Sequence, residues 1–318
     1  MDDNQLLYEL QTKGLLSVEE AEKIKKHAAE KAFSLHWELK TMLYLGVLLL
    51  NIGLGILVYQ NINTFGHAIL IAVIGLACAA CFWYCWRHRR PFSWGMVESA
   101  TPYFDYVLML GCFTFLIFEG YLQSQYQVFG TRYGLATFIP TLLFFATAYF
   151  FDHRGVLSLA LTTFSAWLGV TVTPRDLLEK NDFDSPSLIK IAALLGVVLA
   201  LTGLVFAQRN WKKHFTGTYL NFSVHFYGIA ALSGLFHLNQ PLLWIPVLLA
   251  GIAFFIWYAQ VTKSFYFLLA ALIYGYIGLT YCFFQYLMTD FNIYGSIFYF
   301  LISGSALVFF LINRRQNK

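Results

Sequence analysis

Charged side chains are scarce in this chain. Asp, Glu, Lys and Arg together make up 12% of its 318 residues, about half the share of an average soluble domain. A water-facing surface built from so few charges would be dominated by apolar patches, which excludes an ordinary soluble domain. The small net charge of +4 excludes the broad basic face of a nucleic-acid binder. The chain has no G-x-x-x-x-G-K-[ST], no H-E-x-x-H, no G-x-S-x-G and no G-x-G-x-x-G. The corresponding phosphate loops, zinc helices, nucleophile elbows and dinucleotide sites are thereby removed from consideration, and no catalytic residue is assigned. Its five cysteines, Cys78, Cys81, Cys85, Cys112 and Cys282, all fall inside apolar runs, so no loop offers an extracytoplasmic disulfide. The opening MDDNQ is acidic and the first apolar run starts about 40 residues in, which predicts insertion through that run rather than through a cleaved leader.

What the chain does have is apolar length. Hydrophobic residues reach 58% and aromatic ones 19%, the pattern of lipid-facing helices with Tyr and Trp at the interfaces. Runs of about 20 apolar residues, the length that crosses a bilayer at 1.5 Å per residue, occur near 42–61, 66–86, 103–122, 134–151, 155–172, 188–208, 219–238, 241–261, 264–285 and 293–312. The expected fold is all-α, a polytopic bundle of about ten transmembrane helices over 41–318. With the N-terminus inside, the inner segments collect 17 of the 21 Lys and Arg, leaving Arg132, Arg175, Lys180 and Lys190 outside. That bias predicts both termini on the cytoplasmic side of a bacterial inner membrane.

Residues 1–40 read as a small cytoplasmic helical hairpin. Leu6, Leu7 and Leu10 share a helical face, and Gly14 stands at a C-cap position. Ser17-Val18-Glu19-Glu20 then forms a capping box, the Ser capping free amides and Glu20 reaching back. Ala21, Ile24 and Ala28 continue a second apolar stripe. The hairpin packs on itself or docks a protein partner.

The first span, MLYLGVLLLNIGLGILVYQNI from Met42 to Ile62, follows this hairpin through a basic linker. The combination of LLYELQTKGLLSVEEAEKI with LYLGVLLLNIGLGILVYQNI resembles the DUF2157 family of bacterial membrane proteins, a domain of unknown function. The resemblance covers roughly the first half of the chain. In that family an Asn-Trp pair typically follows the first span; here Asn61-Ile62 stands there, and an Asn210-Trp211 pair occurs after the sixth. The resemblance implies a multi-span inner-membrane protein and brings no activity, cofactor or site residue with it.

Polar groups inside hydrocarbon cost about 2.5–3.5 kcal/mol for a central charge, so their positions are the best pointers to function. Asn51 lies mid-span among Gly46, Gly53 and Gly55, where it serves as interhelical glue or as a ligand. Glu119, near the outer end of the third span, either snorkels to the interface or stands at an outer cavity, paired with Arg132 or His237. Asp105 begins the same span near the inner interface. His225 lies about two turns into the seventh, at a similar depth, so an Asp105–His225 acid–imidazole pair is conceivable. Cys78, Cys81 and Cys85 share one helical face but read as small apolar residues, so no metal site is assigned. Pro140 and Pro246 interrupt spans four and eight. The acidic loop 174–187 carries Asp176, Glu179, Asp182 and Asp184 and reads as solvated, with cation binding as the alternative. LGVLLLNIGL at 45–54 and LGVVLALTGL at 195–204 suggest two inverted five-span halves. Together these features point to a non-enzymatic membrane protein, with transport of a small solute or lipid as the specific expectation. A structural or sensory protein docking a partner and an intramembrane enzyme on lipid-linked substrates are the alternatives. No cofactor and no nucleic acid enters any of these readings; the bilayer is the one required partner.

Overall fold

The computed structural model describes residues 17, 20, 35–61, 66–99, 101, 103–130, 132–172, 185–238, 240–287 and 293–316. These fall into two compact units, Met1–Thr64 and Phe65–Lys318. Most of the expected N-terminal hairpin and the acidic residues of loop 174–187 lie outside the described residues. The capping box is visible: Glu20 N–H donates to Ser17 Oγ at 3.2 Å, and Ser17 N–H and Oγ–H donate to Glu20 Oε2 at 3.0 and 2.8 Å. Both halves of the reciprocal cap are therefore made. The first unit also contains α1, Leu35–Asn61.

The second unit holds nine long helices among the described residues. They are α2 (His67–Arg87), α3 (Phe104–Tyr126), α4 (Tyr133–Phe151), α5 (Arg154–Val172), α6 (Pro186–Arg209), α7 (Thr216–His237), α8 (Pro241–Thr262), α9 (Phe265–Cys282) and α10 (Ile293–Gln316). No strand occurs among the described residues. Short polar punctuation sets these lengths. Pro186 and Pro241 open α6 and α8, where a missing N–H costs nothing. Gln127, Asp152, Asn210 and Lys263 close α3, α4, α6 and α8 in the left-handed conformation, each returning its N–H to the last turn. The turns at 152–153 and 210–215 are short enough to force antiparallel neighbours.

Consecutive helices pair: α2 with α3, α4 with α5, α6 with α7, and α8 with α9. Helix α7 is the hub, touching α5, α6, α8 and α9, and half of its 22 residues are buried. Nine helices of the described chain are long and apolar enough to cross a membrane, α1 among them, and α7 is not one of the nine. Ten spans were expected, and the physical reason for the difference is the position of α7. A helix wrapped by other helices needs small residues for close contact more than it needs lipid-soluble ones. Its contact with α6 makes the point. Ser223 Oγ donates to the Gly196 carbonyl at 2.6 Å, and a Cβ added at Gly196 would lie 2.8 Å from the Tyr227 backbone nitrogen. Only glycine permits that approach. Helix α10 joins α9 through Tyr276 OH with Ser303 Oγ at 2.9 Å and Thr280 Oγ1 with Tyr299 OH at 3.0 Å.

The core of the second unit lies between α2 and α7. Phe104, Leu108, Cys112, Phe144, Leu157, Leu161 and Phe215 are nearly or wholly inaccessible there. Cys78 and Cys85 face α3, with Cys78 Sγ 3.7 Å from the Gly111 carbonyl, and Cys85 and Cys112 belong to this core. They pack as small apolar side chains.

Candidate functional site

Two places in the bundle concentrate polar chemistry, and they lie toward opposite ends of it. The loop 88–103, the α4–α5 turn and the α6–α7 connection meet at one end, which is rich in Arg and Lys. Glu119 lies about 15 residues and roughly 22 Å along α3 from that end.

Glu119 is only 6% exposed. Its Oε1 is buried with no hydrogen-bond partner, and no Lys, Arg or His of the described residues pairs with it. The expected pairing with Arg132 or His237 is not made, and the side chain does not snorkel to an interface. Instead it lines a cavity of about 340 Å³ between α3, α4 and α5, with Leu116, Gly120, Gln123, Thr137, Pro140 and Thr163 among the walls. Local sequence builds this space. Gly120 presents no side chain, and a Cβ there would meet nothing within 4 Å. Pro140 has no N–H, so the Ala136 carbonyl in the same wall loses its regular helical partner. Thr137 Oγ1 donates to Gly134 O at 3.1 Å, and Thr163 Oγ1 donates to Leu159 O and Ala160 O at 3.0 and 3.1 Å. Both hydroxyl hydrogens are thereby consumed. A carboxylate enclosed this way without a partner costs several kcal/mol, a cost that uptake of a proton or a bound cation would relieve.

The other expected polar residues are placed apart. Asp105 accepts from Ser99 Oγ at 2.5 Å and lies 3.9 Å from His153 Nε2. His225 is held by tyrosines instead: Nδ1 is 2.8 Å from Tyr274 OH and Nε2 is 2.5 Å from Tyr266 OH. The conceived Asp105–His225 pair is therefore not formed. Tyr266 spends its hydroxyl hydrogen on Asn221 Oδ1, so it accepts from His225 Nε2–H, and a neutral imidazole then accepts from Tyr274 at Nδ1. This chain borders a second cavity of about 510 Å³ that also touches Thr162 and Ser165. Asn51 is 9% exposed; its Nδ2 donates to Val47 O at 2.7 Å and its Oδ1 is unpartnered. A Cβ at Gly46, Gly53 or Gly55 would meet nothing within 4 Å.

The cluster at the basic end escaped the sequence. Asp152, in the α4–α5 turn, lies 2.9 Å from Lys212 Nζ and 2.6 Å from His214 Nε2, and the Asp152 and Lys212 side chains are 2% and 1% exposed. Its Oδ2 accepts from Val97 N–H at 2.6 Å, while Lys212 N–H donates to Trp94 O at 2.8 Å. One carboxylate thus ties three connections together. Burial outweighs the Asp152 charge and moves the His214 imidazole below its ordinary value, consistent with a neutral ring donating to Asp152 while Lys212 carries the balancing charge. Sequence offered only two basic residues in a loop and an acid in a turn about 60 positions away.

The fold and the enclosed polar sites define a polytopic helical membrane protein. Residues 8–157 match the model of the DUF2157 family, described as a predicted membrane protein. Comparison with curated proteins and with solved structures finds no match.

Proposed function

We propose that the protein carries a small solute across the bacterial cytoplasmic membrane, with the Glu119 cavity as its intramembrane binding site. The observation that carries this reading is a carboxylate buried without a partner yet facing an open volume inside a transmembrane bundle. Intramembrane ionisable residues mark substrate and ion pathways because their cost is otherwise hard to sustain. The proline within helix α4 beside it supports the same reading, since a freed carbonyl is tolerated where it lines a cavity. The 17-to-4 charge bias supports both termini inside, with α7 as a tenth crossing.

The test is solute entry into proteoliposomes, followed by light scattering after challenge with a panel of salts, polyols and amino acids. Wild-type vesicles should admit at least one solute faster than protein-free vesicles, and Glu119→Gln should lose most of the difference while the protein inserts and folds. No solute entering above the protein-free rate would refute the proposal.

A further inference from the structure

We infer that the ligand of the Glu119 cavity is a monovalent cation: an alkali ion, an ammonium-type group or a hydrated proton. The inference rests on the transport reading for its physiological use, but on the wall chemistry for its substance. That wall is mostly apolar, and most of the polar groups it presents are oxygen acceptors. Glu119 supplies the carboxylate, with Oε1 buried and unpartnered. The Ala136 carbonyl lacks its regular donor because residue 140 is proline. The Thr137 and Thr163 hydroxyls have given their hydrogens to backbone carbonyls, so only their acceptor sides remain. Gln123 is held by its own loop, its Nε2 donating to Gly130 O and its Oε1 accepting from Phe129 N–H, and Ser124 is exposed. Apart from one Gln123 N–H and the exposed Ser124 hydroxyl, the polar groups of the wall are acceptors, a set that favours donors or cations over anions.

The charge count sets the valence. Helix α4 carries no Asp, Glu, Lys, Arg or His, and α5 carries only Arg154, at its far end. On α3 the other acid is Asp105, at the opposite end and engaged by Ser99. From the neighbouring α2, His67 is engaged by Tyr121 OH at 2.8 Å. When ionised, this one enclosed carboxylate is balanced by one positive charge. A divalent ion would be left with an excess charge in a low-dielectric wall, and such ions take several carboxylates.

The full-length protein in nanodiscs is titrated with NaCl, KCl and NH4Cl, with ionic strength held by N-methylglucamine chloride, and its thermal midpoint is recorded at several pH values. Saturable stabilisation by one of these ions is expected, as mass action requires of a ligand bound only by the folded state. MgCl2 and CaCl2 should add nothing beyond ionic strength. A pH-dependent part of the midpoint that is lost in Glu119→Gln, with no effect of salt, identifies the proton as the cation. Glu119→Gln should erase the response with the protein still folded. Gly120→Leu, which fills the cavity and leaves the carboxylate in place, should also erase it and covers the case in which Glu119→Gln does not fold. A wild-type midpoint indifferent to monovalent ions with a pH dependence that Glu119→Gln leaves unchanged, an ion response unchanged in both variants, or saturable binding of divalent ions alone would overturn the inference. Solute flux without a cation response would remove this inference and leave transport standing. A cation response without flux would support it and remove transport.

Discussion

Replacing Asp152 with asparagine keeps the shape of the side chain and deletes its charge. Lys212 Nζ, 2.9 Å away on a side chain 1% exposed, would then face a neutral amide with no water to solvate it. Stranding one partner of a buried ion pair costs about 3–5 kcal/mol. At about 2–4 °C per kcal/mol for chains of 150–250 residues, the unfolding midpoint should fall by roughly 6–20 °C. Intrinsic fluorescence reports the event locally, because Trp94 and Trp211 lie on the connections that Asp152 joins, their rings in tilted contact with centroids 5.4 Å apart. Adding Lys212→Met to Asp152→Asn removes the stranded charge and should recover much of the loss, giving a favourable coupling in the double-mutant cycle. A single variant within about 0.5 kcal/mol of wild type, or a double variant as damaged as the sum of the singles, would refute the reasoning.

Two further outcomes follow from the same geometry. Gly196→Ala should destabilise the bundle by about 1–3 kcal/mol through forced separation of α6 from α7, measurable as a lower denaturation midpoint; an unchanged midpoint would show that the two helices can part freely. His214 is held below its ordinary value of 6.5, so the unfolded chain binds the proton more readily. Its contribution to stability is complete above that ordinary value and is lost as pH falls through the lowered folded value. The fall in midpoint below about pH 6.5 should therefore be shallower in His214→Gln than in wild type, and equal slopes would contradict the assignment.

Sequence periodicity and length were enough to place the helices, because lipid demands a continuous apolar run at each crossing. The Ser17–Glu20 cap was equally legible, being a contact between residues three apart. Glu119 was visible as a costly residue, but its surroundings were not. Whether a carboxylate meets lipid, an arginine or a cavity depends on α4 and α5, whose register on α3 no local pattern encodes. Helix α7 was counted as an ordinary span because sequence could not reveal its central place. The Asp152, Lys212 and His214 node was invisible for the same reason: each residue is unremarkable locally, and only the meeting of two connections makes them one unit. Asp105 and His225 were matched by depth alone, and nearer hydroxyl and imidazole partners took them both.

The central claim, a solute site at Glu119, requires that the cavity beside it be reached from water. The direct measurement uses a chain whose five native cysteines are replaced and a single cysteine introduced as Thr163→Cys, on the cavity wall. Reaction of that thiol with a charged, membrane-impermeant methanethiosulfonate in intact membranes is predicted, together with protection when Gly120→Leu fills the space. A thiol that stays unreactive to the charged reagent while reacting with a lipid-soluble maleimide would place Glu119 in a dry pocket and contradict the account.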